Sequence, residues 1–122
     1  MAEKIAVLVI DDEPSIGDAL RLILSDNGFD VSVATTGSEG LQRAALQPFD
    51  VAVTDIRLPD MSGLDVLSRI RKNNRNCPII MITAHCTPEI VAESLKRGAV
   101  AVLSKPFCPS EVLDLIDKTL GR

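Results

Sequence analysis

Five short apolar runs alternate along the chain with segments whose apolar residues recur at helical spacing, and that alternation leaves few folds open. The runs are Ile5 to Ile10, Val31 to Ala34, Val51 to Thr54, Ile79 to Thr83 and Val100 to Leu103. Short, rich in β-branched residues and bounded by turn formers, they read as strands. The first and fourth are apolar almost throughout, as in parallel strands covered by helices on both faces. Between the runs, Ile16, Leu20, Ile23 and Leu24 make one helical stripe and Val112, Ile116 and Leu120 another. Thr36-Gly37-Ser38-Glu39 has the order of a capping box, and Thr87-Pro88-Glu89 offers a cap, a first-turn proline and an acid. Leu64, Leu67 and Ile70 mark another helix, while Asn27-Gly28 and Gly98 read as helix ends.

A length of 122 residues divided among five such units leaves about 24 each, so connections are short and no interdomain linker fits. The expected fold class is α/β, a doubly wound (βα)5 sandwich around a five-stranded parallel sheet. Hydrophobic residues make up 46% of the chain and only 2% are aromatic, with no Trp or Tyr, which removes the stacking platforms of single-strand nucleic-acid binders. A net charge of -4 likewise lacks the basic footprint of a phosphate-backbone binder, so no direct nucleic-acid partner is expected. Cys77, Cys86 and Cys108 are odd in number and unspaced for zinc; with no secretory-type leader, they point to a reducing cytoplasm. No run approaches the roughly 20 residues of a membrane helix, and no membrane partner is expected.

In an open parallel sheet, ligands bind beyond the carboxyl ends of the strands where the strand order reverses. The first run ends in Asp11-Asp12-Glu13, the third in Asp55, the fourth in Thr83 and the fifth in Ser104-Lys105-Pro106. Taken singly, each has an ordinary explanation: Asp11 and Asp12 favour the start of a helix, Asp55 is a loop acid before Pro59, Thr83 is a β-branched strand residue, and Lys105 is a surface lysine. Together they bring carboxylates, a hydroxyl and an ammonium from four distant segments to one rim. Clustered carboxylates repel unless a cation intervenes. Mg2+ takes oxygen ligands from one or two carboxylates plus a phosphate, which suits Asp12 and Asp55 with Asp11 behind them. With Lys105 opposite, the group between should be a phosphoryl, and an aspartate can take one as a mixed anhydride.

The motifs V-I-D-D-E (Val9 to Glu13), D-I-R-L-P-D-M-S-G (Asp55 to Gly63), M-I-T-A (Met81 to Ala84) and S-K-P-F (Ser104 to Phe107) span nearly the whole chain. In this order and spacing, the sequence resembles the receiver domain of bacterial two-component response regulators. The resemblance implies a flavodoxin-like strand order 2-1-3-4-5, and one receiver (phosphoacceptor) domain over residues 1–122 with no output domain in this chain. It implies that Asp55 accepts a phosphoryl group from a sensor histidine kinase or phosphotransfer protein. Mg2+ would be held by Asp11, Asp12, Asp55 and the backbone carbonyl of Arg57. Thr83 and Lys105 would bind phosphoryl oxygens, and the Lys105-Pro106 bond would be cis. The domain would catalyse its own phosphorylation and slow dephosphorylation rather than act as an enzyme on other substrates. The surface of the fourth helix, fifth strand and fifth helix would carry the signal to an output, and a second receiver is a candidate partner.

One position departs from the family. The aromatic residue that rotates as the threonine moves stands three before the lysine, and here it is Val102. Two further positions, Arg57 and His85, are those the family uses to tune phosphoryl lifetime. Competing readings fare worse. A Mg2+-dependent aspartyl-phosphate phosphatase or phosphotransferase resembling the haloacid dehalogenases needs an acid two residues after its nucleophile, and Asp55-Ile56-Arg57 lacks it. A degenerate module acting only by interaction conflicts with the intact Asp12, Asp55, Thr83 and Lys105. A flavin binder would need hydroxyl-rich phosphate loops. A Cys86–Cys108 redox switch is disfavoured by the reducing compartment.

Overall fold

The computed structural model describes residues 4–122. Strands and helices alternate strictly: β1 Ala6–Ile10, α1 Pro14–Asp26, β2 Asp30–Ala34, α2 Gly37–Leu46, β3 Val51–Asp55, α3 Gly63–Asn73, β4 Ile79–Thr83, α4 Pro88–Lys96, β5 Ala101–Ser104 and α5 Pro109–Thr119. All four strand pairings are parallel, and the order across the sheet is β2-β1-β3-β4-β5. Because each crossover leaves from a strand's carboxyl end, five strand ends open onto the same rim.

Successive side chains in a strand point to opposite faces, and each face builds its own core. Leu8, Ile10, Ala52, Ile79 and Met81 pack on one side with Val66, Leu67 and Ile70 of α3. Val7, Val9, Val51, Val53, Ile80 and Ile82 pack on the other with Leu20 and Leu24 of α1 and Val112 and Ile116 of α5. Every residue of β3 and β4 is buried, which is why those runs carry no polar alternation until their last residues.

Helix ends follow the sequence signals closely. Thr36 caps α2 by accepting from the Glu39 N–H at 3.0 Å, and Glu39 reaches back to the Thr35 N–H, one residue before the cap. Gly28 and Gly98 have φ of +89° and +105°, and each sits in a terminus where three backbone N–H groups return to the last helical turn. The last strand begins one residue later than its apolar run: Val100 is half-exposed, and pairing of Thr83 with Ser104 sets the ladder.

Two residues illustrate how tightly the interior constrains the chain. Cys77 is buried at the far edge of the sheet from the strand ends, and burial, aided by the Asp50 charge and opposed by Arg71, pushes its thiol up to about 11. A thiol with a raised pKa stays protonated near neutrality, so at pH 8 a thiol reagent should titrate Cys86 and Cys108 in the native protein and Cys77 only after denaturation. Three thiols reacting at one rate would contradict this. Gly63 starts α3 with its N–H donated to the Ile56 carbonyl at 2.7 Å, and a Cβ there would overlap the Asp55 carbonyl oxygen. Gly63→Ala should therefore lower stability by about 2 kcal/mol or more, read as a shift in the denaturation midpoint; an unshifted midpoint would show that the loop gives way freely.

Candidate functional site

The rim gathers residues from three strand ends around one ammonium. Lys105 follows β5 directly, its backbone N–H bonded to the Thr83 carbonyl at 2.8 Å, so its side chain projects over the centre of the sheet edge. Its Nζ donates to Asp55 Oδ2 at 2.7 Å and to Glu13 Oε1 at 2.9 Å, and lies 3.1 Å from Asp11 Oδ2. Burial works against the charge on Lys105, but the hydrogen bonds to Asp55 and Glu13 and the nearby Asp11 carboxylate outweigh it and hold its pKa above the ordinary lysine value.

Asp11 is wholly buried at the end of β1. Its Oδ1 accepts from the Glu13 N–H at 2.9 Å, whereas Oδ2 is close enough to Lys105 for ion pairing but lacks the geometry of a hydrogen bond with any described group. Burial raises the Asp11 pKa; the Glu13 N–H and the Lys105 ammonium oppose the rise, and the Asp55 charge adds to it. Asp55 is the last residue of β3, buried at 4% exposure, with Oδ1 accepting from the Arg57 N–H at 3.1 Å. Asp12 is exposed, and one carboxylate oxygen from each of Asp11, Asp12 and Asp55 falls within 4.8 Å of the others. Oxygen donors this close, one of them buried without a hydrogen bond, make a donor set suited to a hard divalent cation.

An open cleft lies over this cluster, lined by Asp12, Glu13, Asp55, Arg57, Ala84, His85 and Lys105. Thr83 ends β4 buried, and its hydroxyl accepts from the His85 N–H at 3.0 Å. The Lys105-Pro106 peptide bond is cis. Val102 does not reach the cleft: it pairs with Met81, two residues before Thr83, and packs half-buried against the α3-side core. Cys86 and Cys108 are both exposed and free.

Three further residues shape the site, two of them, Asp60 and Gly63, given no role by the sequence. Glu13, which the sequence already places with the Asp pair at the end of the first strand, supplies a third carboxylate to Lys105. Asp60 caps the start of α2 from the loop after β3, accepting from Gly37 N–H at 2.8 Å and Ser38 N–H at 2.9 Å. These bonds hold its carboxyl below the usual carboxylate range. Gly63 lets the Asp55 carbonyl approach α3.

Known proteins share this fold. The family model for the response regulator receiver domain matches residues 7–117. The transcriptional regulatory protein KdpE of Mycobacterium tuberculosis is 43% identical over 116 residues, which is 95% of this chain and 51% of KdpE. This chain thus spans about half the length of that relative. A CheY-like receiver domain protein from Methanospirillum hungatei superposes with a TM-score of 0.94 at 34% identity, covering 98% of this chain and 95% of its own. A Burkholderia pseudomallei response regulator, solved with a phosphorylated aspartic acid, a calcium ion and citrate, superposes at 0.85 with 26% identity over 91% of this chain and 65% of its own. With the strand order 2-1-3-4-5 and the acidic rim already in place, the chain belongs to the response regulator receiver domains, the phosphoacceptor modules of two-component signalling.

Proposed function

We propose that Asp55 takes a phosphoryl group from a phosphohistidine on a sensor histidine kinase or phosphotransfer protein, and that the surface of α4, β5 and α5 changes in response. The observation that carries this reading is the Lys105 ammonium, held 2.7 Å from Asp55 Oδ2 with Asp11 and Glu13 beside it. The Burkholderia regulator's phosphorylated aspartic acid and calcium ion support the same chemistry here. Mg2+ fits the donor set. Asp11, Asp12 and Asp55 would hold it together with the Arg57 carbonyl, which accepts no hydrogen bond among the described residues. When bound, the ion neutralises charge on the transferring oxygens.

The chain's own residues account for the rest. The Asp55 carboxylate attacks phosphorus; an O–P bond forms, the P–N bond to the donor imidazole breaks, and that nitrogen keeps the electron pair and gains a proton. Lys105 is already oriented, so its charge meets the incoming phosphoryl without reorganisation. Thr83 can turn its hydroxyl from the His85 N–H to a phosphoryl oxygen. Water then attacks phosphorus, inorganic phosphate leaves and Asp55 is regenerated. An apolar groove lined by Ile16, Ala19, Leu20, Pro106 and Phe107 adjoins the cleft, sharing Glu13, Ala84 and Lys105 with it. A partner carrying a phosphohistidine, seated there, would bring its donor to Asp55. The cytoplasm suits three free cysteines and such a donor.

Incubation with acetyl phosphate and Mg2+ should add about 80 Da, the mass of HPO3, to the intact protein as one acyl phosphate on Asp55. Asp55→Asn should add nothing, and equal labelling of both would refute the assignment. Arg57 and His85 overhang the cleft and should slow attack by water through crowding and charge pairing. Arg57→Ala and His85→Ala should each shorten the lifetime of the phosphorylated protein several-fold, measured as loss of the added mass; unchanged lifetimes would remove both from that role.

A further inference from the structure

The loop after β3 is fastened at its base by the site's own strands. Ile56 N–H donates to the Ile82 carbonyl at 3.0 Å, Gly63 N–H to the Ile56 carbonyl at 2.7 Å, and Arg57 pairs with Ser62 in an isolated antiparallel bridge. The tip, residues 58–61, is fastened elsewhere. Asp60 spans 22 and 23 positions of sequence to take the first two N–H groups of α2, while Thr36 takes the third. The Met61 side chain lies where a Cβ on Gly37 would stand, so the absence of a side chain at 37 lets the tip settle on the helix. A carboxylate at a helix N-terminus also meets the favourable end of the dipole. The loop is therefore closed at both ends, and the Arg57 carbonyl sits between the two fastenings.

We propose that Asp60 is a positioning residue for phosphoryl transfer: by clamping the β3–α3 loop to the start of α2, it holds the Arg57 carbonyl where it can serve as a cation ligand. This rests on the reading of Asp55, Asp11, Asp12 and Arg57 as the Mg2+ and phosphoryl site. Residues that orient a ligand from behind are typically worth 10–100-fold in metal affinity, and a single backbone ligand belongs at the low end of that range. Asp60 does not touch the cleft, so its effect falls on cation binding rather than on the nucleophile.

The test titrates Mg2+ alone into the wild type, Asp60→Ala and Asp60→Asn, following amide chemical shifts, with amide exchange at Gly37 and Ser38 measured alongside. Asp60→Ala should weaken Mg2+ binding about tenfold and speed exchange at both amides, with the loss in phosphorylation by acetyl phosphate recovered at saturating Mg2+. Asp60→Asn, which keeps one acceptor oxygen, should fall between, and it serves as the measured variant if Asp60→Ala fails to fold. Faster amide exchange with unchanged Mg2+ affinity would make Asp60 a helix cap and nothing more, overturning the proposal. A wild type that binds Mg2+ but gains no phosphoryl mass would instead overturn the reading of Asp55, a separate outcome.

Discussion

A single ammonium makes this sheet edge tenable. Asp11 and Asp55 are buried side by side, and two carboxylates with oxygens within 4.8 Å repel by roughly 3 to 4 kcal/mol at an effective dielectric near 20. Both are held out of water by the backbone, Asp11 directly after the buried end of β1 and Asp55 as the last residue of the fully buried β3. Lys105 reaches both of them and Glu13 from β5, and their three carboxylates together raise its pKa against the cost of burial. The arrangement is balanced but incomplete. Three carboxylates share one lysine, and Asp11 Oδ2 still lacks a hydrogen bond. A surplus of negative charge facing an open cleft creates demand for a second cation, and a cation pair flanking Asp55 is what a carboxylate needs in order to attack an anionic phosphoryl group.

Topology makes the cluster unavoidable once the strands are assigned. In a parallel sheet with every crossover returning to the same edge, the residue after each strand meets the residues after the others. Asp11, Asp55, Thr83 and Lys105 therefore become neighbours although they are separated by up to 94 positions, from 11 to 105. Periodicity in the chain was sufficient to read the strands and thus the rim. The spatial order β2-β1-β3-β4-β5 was not legible from periodicity, since alternating units fit several orders, and it came from the resemblance of the motifs. The one-residue displacement of β5 has a local cause. Val100 is apolar, yet the ladder to β4 begins at Ala101, and hydrophobicity alone does not register which residue opens a pairing.

What escaped the sequence shares a physical character. Glu13 reads in the sequence as one more rim acid, with nothing to say that it pairs with an ammonium 92 positions away, and Asp60 acts on the first two backbone N–H groups of α2. An acid near a proline looks the same whether it is solvated or capping a distant helix. Gly63 is similarly silent, because its value lies in the volume it leaves for the Asp55 carbonyl. Side chains that do chemistry are visible as types in a pattern. Those that hold backbone in place are visible only once the backbone is.

Under the proposed function, the valine at 102 would alter how a signal leaves this site. Where a ring occupies the position, its rotation reports on the threonine, but Val102 is packed half-buried beside Met81 and has no long lever to swing. The connection that does exist is through the main chain: Thr83 Oγ1 holds the His85 N–H, two residues into the loop leading to α4. Turning that hydroxyl toward a phosphoryl oxygen leaves the N–H without its acceptor at a partly exposed position, where water replaces it at small cost. The loop is then free to move with the α4 cap at Thr87, whose side chain fixes the first turn through the Ile90 N–H. Release of one backbone bond is a weaker bias than burial of an aromatic ring. That bond opens the loop leading to the helix on the proposed output face, and under the proposed function it would be a route from phosphorus to surface that needs no aromatic side chain.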